Sequence, residues 1–516
     1  MEVIPGGPGN PDTGPHDDPY PGRWRMDGLT LAALLGALAV ALSIAIKVVA
    51  LGVIPANRKP STGMAWLLLV LLNTAAGLIG FALFGSPRLD RHRQARQDQA
   101  KARIRERTDH VPDHELDPTL PPYVGSVVAL NRTLGSMPLV GGNTVELLPD
   151  YRGSIAAMTK AVHGAETFVD VEFYITAWDD TTDPLFAALA DAAERGVRVR
   201  MLFDHLGSRG IPGFQEMLKR LDGTRIEWRA MLPIKPLKGV IRRPDLRNHR
   251  KLLVVDGRIG FTGSQNLTEP GYNKPKNHAA GREWVELMAR LQGPVVATLE
   301  AVFAQDWYTE TGETTAVAIV PAPVGESRSG AMHDVTCQLV PSGPGYVAEN
   351  NLRLFTTLIY SAQRRISLTS PYFVPDESLL YAVTTAAQRG IEVELFVSEE
   401  SDQFMVGHAQ ASYYRALLES GVRIRLYPSP WILHSKHFTI DDDVAVLGSS
   451  NMDMRSFALN YEISLMMLGR DVVTAMREVE DTYRRLSREL TLEEWSQRPG
   501  RTRYVDTVMR LTAGLQ

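Results

Sequence analysis

Two long apolar stretches lie near the start of the chain. Leu29 to Ile46 reads LTLAALLGALAVALSIAI without a charge and continues past Lys47 to Ile54, and a second stretch runs from Gly63 to Phe84 with Asn73 its most polar member. Each matches the roughly 20 residues that a helix needs to cross a bilayer, so a hairpin of two transmembrane helices is expected over 27–86. Lys47 lies near one end, where its stem can reach the headgroups. A cleaved signal peptide fits less well, because no clear small-residue cleavage site follows and a second span comes at once. Beyond Phe84 the pattern changes. Short β-branched and apolar runs such as KLLVVD (251–256) and KHFTID (436–441) read as strands, while GPVVATLEAVFAQDWY (293–308) reads as a helix.

Charge gives the apolar hairpin a direction. Arg88, Arg91, Arg93, Arg96, Lys101, Arg103, Arg105 and Arg107 follow the second stretch, against Arg58 and Lys59 in the connecting loop. The positive-inside rule then places everything after Phe84 in the cytoplasm, with the tail before Leu29 there too. Residues 87–136 read as a charged linker drawn toward anionic headgroups. Residues 1–26 hold six prolines and five glycines, have little to bury, and read as a disordered tail. A length of 516 exceeds one ordinary core. The net charge of −4 says little about partners, and the lone Cys337 excludes an intramolecular disulfide and a thiolate-rich metal site.

The strongest signal is an internal repeat. NHRKLLVVDGRIGFTGSQN (248–266) and LHSKHFTIDDDVAVLGSSN (433–451) share Lys at +2 from His, Asp at +7, Gly at +14, Ser at +15 and Asn at +17. One copy supplies His249, Lys251, Asp256, Gly263, Ser264 and Asn266; the other supplies His434, Lys436, Asp441, Gly448, Ser449 and Asn451. Upstream, AAERGVRVRMLFD (192–204) parallels AAQRGIEVELFVS (386–398). On a strand, His and Lys two apart share a face and Asp at +7 falls on the other, so Asp256 and Asp441 are expected to brace the hairpins. Ser and Asn, again two apart, can point together into a pocket, and the Gly permits close backbone approach.

A His nucleophile with cationic and amide donors suits attack on a phosphodiester. Two copies supply two imidazoles, one to carry the phosphoryl group and one to move protons. No metal or other cofactor is required by this arrangement.

H-x-K-x4-D with G-S-x-N, present twice, resembles the phospholipase D superfamily. Closer still, these segments together with SPYFVPDESLLYA (370–382), MDMRSFALNYE (452–462) and IPANRKPS (54–61) are similar to bacterial cardiolipin synthases. The likeness covers roughly 27–490. It implies an α/β fold, a pseudo-dimer whose two halves (137–315 and 335–490) join face to face around one central site, behind the two-helix anchor in the bacterial cytoplasmic membrane. It also implies His249 as nucleophile and His434 as general acid/base, an order that the spacing leaves open. The family's carboxylate beside the imidazoles would come from Glu462, eleven after Asn451, and from Glu286, with Glu283 close by. Ser264, Asn266, Ser449 and Asn451 would contact substrate alongside Glu286 and Glu462.

The partners implied are phosphatidylglycerol and other anionic membrane lipids. Nucleic acid fits poorly, since no basic stretch is interleaved with aromatics as a stacking platform. Both catalytic sets lie in one chain, so the site needs no dimer, and oligomeric state stays open. About a dozen extra residues precede His249, in IKPLKGVIRRPDLR (234–247), and its cations Lys235, Lys238, Arg242, Arg243 and Arg247 are expected to line the mouth of the site.

Overall fold

The structure, a computed structural model, describes residues 28–56, 60–85, 91–234, 245–315, 330–346 and 349–513. The proline-rich tail 1–26, Arg58, Lys59, Arg88, most of 321–330, and Lys235, Lys238, Arg242 and Arg243 lie outside the described residues. The chain forms two compact units, 1–86 and 87–516.

In the first unit, an unbroken helix spans Gly28–Val53. Its segment Thr30–Val53 is long and apolar enough to cross a membrane. The second apolar stretch departs from expectation. It is two helices, Pro60–Leu72 and Thr74–Phe84, broken at Asn73. Asn73 has extended backbone (φ −141, ψ 98), and its side chain accepts from the Ala76 N–H at 3.0 Å, capping the helix that follows. The two pieces fold back on each other: Gly77 lies so near Val70 that a Cβ would strike its backbone, and Trp66 meets Phe81 edge-on at 5.7 Å. At 13 and 11 residues, each piece is shorter than the roughly 20 that a crossing takes. The most polar residue of the stretch therefore acts as a cap where the sequence reading expected it to be carried through a span.

The second unit is built on one sheet. Around the first motif copy lie β1 Leu139–Leu148, β2 Phe168–Phe173, β3 Arg198–Asp204, β4 Glu227–Met231, β5 Arg247–Asn248, β6 Lys251–Val255, β7 Ile259–Gly263, β8 Trp284–Val285 and β9 Met288–Gln292. Around the second lie β10 Met332–Ser342, β11 Arg365–Thr369, β12 Phe373–Val374, β13 Glu392–Ser398, β14 Arg423–Tyr427, β15 Ile432–Leu433, β16 His437–Ile440, β17 Val444–Gly448, β18 Met452–Asp453, β19 Asn460–Leu468 and β20 Arg488–Leu490. From β1 outward the order is β9, β7, β6, β2, β3, β4; from β10 outward it is β19, β17, β16, β11, β13, β14, β20. The repeat in sequence is thus a repeat in topology, with β20 an added edge. β1 and β10 pair antiparallel, so the copies are joined edge to edge in one sheet rather than stacked face to face. That pairing removes two open sheet edges.

Two boundaries differ from the sequence reading. The stretch read as linker is docked structure. Helix Pro122–Gly135 buries Val124, Val127 and Val128 against Leu352, Phe355 and Leu358. Helix Arg91–Thr108 lays Gln97 on the Pro344 carbonyl at 2.6 Å, and buried Arg93 pairs with Glu310 and donates to the Tyr461 hydroxyl at 3.4 Å. Nor does the fold stop at 490: Trp495 and Ala513 belong to the core around β11, β13 and β14. Cys337 is fully buried beside Leu339 and Leu465, an apolar setting that pushes its thiol well above the ordinary range.

Asp256 and Asp441 sit just past β6 and β16 in left-handed conformation (φ 52 and 48), which Asp tolerates better than most residues. Each carboxylate accepts three consecutive backbone N–H groups where the neighbouring strand begins. Asp256 takes Glu166, Thr167 and Phe168 at 2.7–2.9 Å; Asp441 takes Gln363, Arg364 and Arg365 at 2.7–2.9 Å. Burial raises the Asp256 carboxyl, but these hydrogen bonds outweigh it and hold the group below its ordinary value. Asp441→Ala should cost about 2–4 kcal/mol of unfolding free energy, since three N–H groups lose their acceptor. Urea or thermal unfolding checks this, with Asp441→Asn, which keeps one side-chain carbonyl, recovering part of the loss.

Candidate active site

Each imidazole is held by the other copy of the motif. The chain enters β6 through His249, whose N–H donates to the Tyr461 carbonyl at 2.9 Å because β5 pairs in parallel with the start of β19. The His434 N–H donates to the Val285 carbonyl at 2.8 Å, where β15 pairs in parallel with β8. The residue after each of those carbonyls is the glutamate. His249 Nδ1 lies 3.0 Å from Glu462 Oε2, and His434 Nδ1 lies 2.7 Å from Glu286 Oε1. A carboxylate on Nδ1 fixes the ring and leaves Nε2 for chemistry.

Behind the glutamates stand the serines. Ser264 Oγ donates to Glu286 Oε2 at 2.5 Å and accepts the Leu287 N–H at 3.0 Å; Ser449 Oγ does the same for Glu462 (2.5 Å) and Ile463 (3.0 Å). Gly263 and Gly448 allow this approach, since a Cβ on either would collide with the Leu287 or Ile463 carbonyl. The structure therefore places Ser264, Ser449, Glu286 and Glu462 behind the rings, where the sequence reading expected them against substrate. Asn266 and Asn451 do line the cavity, as do both imidazoles. Asn266 is fixed by accepting the Ile175 N–H at 3.2 Å and donating to the Tyr272 hydroxyl at 2.7 Å. Glu283 has an exposed side chain, and its carbonyl accepts the Ile432 N–H at 2.9 Å.

Lys251 and Lys436 are buried at the roots of the imidazoles, each donating to its own histidine's carbonyl, at 2.6 and 2.5 Å. Burial lowers Lys251 to about 7 against the pull of Glu462, and Lys436 to about 8 against Glu286. Both imidazoles are pushed down, first by burial and, for His249, then by the two lysines. The carboxylates differ. Burial lifts Glu462 to about 7, whereas for Glu286 the opposing effect of His434, Lys436 and Ser264 outweighs burial and keeps it below its ordinary value.

These shifts set a pH limit. A lysine carries its charge below its pKa and loses it above, so kcat/KM, which reports the free enzyme, should fall between about pH 7 and 9 as Lys251 and then Lys436 deprotonate. Initial rates on vesicles across that range check it. A profile flat to pH 10 would mean that the lysines stay charged.

The cavity, of about 240 Å³, also draws in groups that the motif spacing did not reveal. Tyr174 meets the His249 ring edge-on at 4.8 Å, and Tyr372 meets His434 at 6.3 Å. Both tyrosines follow strands that pair with the motif strands, a signal lying outside the aligned segments. Arg247, expected in a mouth-lining loop, is instead buried on the cavity wall, with Nη1 3.2 Å from Asp204 Oδ1. Such a site offers two oriented imidazoles, with cations and amides around them for one tetrahedral anion.

A family profile described as "Cardiolipin synthase, PLD-like domain" matches residues 158–307 and 355–485, one block around each motif copy. Cardiolipin synthase A of Proteus mirabilis is 32% identical over 463 residues, 87% of this chain and 92% of that protein. Cardiolipin synthase A of Pectobacterium carotovorum is 32% identical over 470 residues, covering 89% and 93%. Among solved structures, phosphatidylserine synthase of Haemophilus influenzae superposes with a TM-score of 0.57 at 14% identity, over 76% of this chain and all of that one, a likeness of fold.

Proposed function

The chain belongs to the cardiolipin synthases built on phospholipase D-like domains, and on that footing we propose that it moves a phosphatidyl group from one phosphatidylglycerol to the hydroxyl of another through a phosphohistidine. It is a phospholipid phosphatidyltransferase. The observation that carries the mechanism is the crossed pairing, His249 with Glu462 and His434 with Glu286, around one cavity. The two motif halves act as a pseudo-dimer sharing that cavity.

One imidazole attacks phosphorus through Nε2 as the bond to the departing glycerol oxygen breaks, and the other imidazole gives that oxygen its proton. The second lipid's hydroxyl then returns a proton to this imidazole while its oxygen attacks phosphorus and the P–N bond breaks. Lys251, Lys436, Asn266 and Asn451 hold the non-bridging oxygens, where charge concentrates in both transition states. Asp256 and Asp441 act from a distance, by fixing the hairpins. Water competes for the intermediate, and a second lipid hydroxyl held at the phosphorus outruns it through effective concentration.

The apolar helix Thr30–Val53 anchors the chain in the bacterial cytoplasmic membrane, and the cationic run from Arg88 to Arg107 supports a catalytic unit on the cytoplasmic side. The test is product analysis by mass spectrometry on purified protein in phosphatidylglycerol vesicles with EDTA present. Cardiolipin and glycerol are expected. Phosphatidic acid alone would make the protein a hydrolase with the same chemistry.

A further inference from the structure

The two motif copies match residue for residue where the chemistry is symmetric, so their mismatches point to where donor and acceptor differ. At two positions before the histidine the first copy has Arg247 and the second has Ile432; at twenty-one after it, the second copy has Arg455 and the first has Pro270. Both arginines line the cavity, and the charge of both reaches Tyr174, the ring packed against His249. Arg455, part-exposed in the short helix Met454–Ala458 that follows β18, donates through Nη2 to the Asp245 carbonyl at 3.3 Å and through Nε to Asn460 Oδ1 at 3.5 Å. Asn460 in turn donates to Glu462 Oε1 at 3.3 Å, and Glu462 holds His249. The guanidinium is thus linked to the imidazole through two intervening residues, Asn460 and Glu462.

Resting on the transferase reading above, we infer that Arg455, with Arg247 beside it, forms a second anion site that holds the phosphodiester of the acceptor phospholipid while its glycerol hydroxyl attacks. The transferred phosphate has its own cradle of two lysines and two asparagines; Arg247 is already paired with Asp204, so the part-exposed Arg455 is the cation on this flank that serves a second phosphate. In the product the two phosphates are joined through one glycerol, and a site set slightly aside from the reacting imidazoles matches that connectivity. A guanidinium suits the part because its planar donors can bind phosphate oxygens in pairs. Such a site favours an anionic lipid acceptor over water or a neutral alcohol, which have no second phosphate to offer.

The experiment gives the covalent intermediate two acceptors at once: phosphatidylglycerol vesicles containing ethanol, with cardiolipin and phosphatidylethanol measured together. In Arg455→Gln the ratio of cardiolipin to phosphatidylethanol should fall at least about tenfold, the scale of one lost charge-assisted hydrogen bond, and Arg455→Lys should recover part of it. An unchanged ratio in both variants, with the unsubstituted protein making cardiolipin, overturns the acceptor site and leaves the transferase reading intact. Phosphatidylethanol without cardiolipin from the unsubstituted protein overturns both. Should Arg455→Gln yield no product, the ratio in Arg455→Lys decides: a fall supports the site, and an unmoved ratio rejects it.

Discussion

Alanine at His249, or at His434, lowers cardiolipin formation by about 10⁴-fold or more, and the double variant is scarcely worse than either. Each imidazole has a task that the other cannot take over while performing its own. Without the attacking ring no P–N bond forms; without its opposite the glycerol oxygen must leave as an alkoxide. Losses from groups that act as one unit do not multiply, so the double variant tests whether the rings form a single machine. The measurement is initial rate on phosphatidylglycerol vesicles, with trapping of a lipid–protein adduct. Whichever alanine variant still accumulates the adduct retains the nucleophile, which assigns the order that spacing leaves open. Residual activity near one tenth in either variant would mean that the two imidazoles do not share the reaction.

Glutamine at Glu462 or Glu286 should cost about 10²–10⁴ in rate with little change in KM, although on this reading neither side chain meets substrate. The carboxylate keeps the Nδ1 proton of its partner and offsets the imidazolium formed during proton transfer; an amide can present the wrong group to Nδ1 and carries no charge. The variants should also differ from each other. Burial already lifts Glu462 to about 7, while Glu286 stays below its ordinary value beside His434 and Lys436, so Glu286→Gln removes the more firmly held charge and should be the more damaging. Separate kcat and KM values for each variant check this. A rise in KM at constant kcat would instead place the glutamates against substrate.

The sequence exposed the chemistry better than its arrangement. His249, Lys251, His434 and Lys436 were legible because duplicated spacing is improbable by chance, and strand alternation placed Asp256 and Asp441 away from the imidazoles. The crossing was hidden. Glu462 is 213 residues from His249, and no local pattern states that β5 pairs with β19 or β15 with β8. Ser264 and Ser449 were read toward substrate because alternation gives a face but not what fills it; here a glutamate does. Asn73 misled for a related reason, since hydropathy counts polarity without asking whether a side chain caps a helix. Arg93 and Gln97 fell within the stretch read as a charged linker because charge alone does not reveal a docking partner such as Tyr461 or Pro344.

The crossed pairing also bears on the order in which the protein is made. A ribosome releases the amino end first, so the apolar helix and the whole first motif copy emerge while Glu462, 213 residues beyond His249, has yet to be translated. Until β19 is complete His249 has no carboxylate, and until β15 reaches β8 Glu286 has no imidazole to hold. A nascent chain that carries the first motif copy alone is therefore inert toward phosphodiesters, and a truncated one stays so: competence arrives only with the last strands of the sheet.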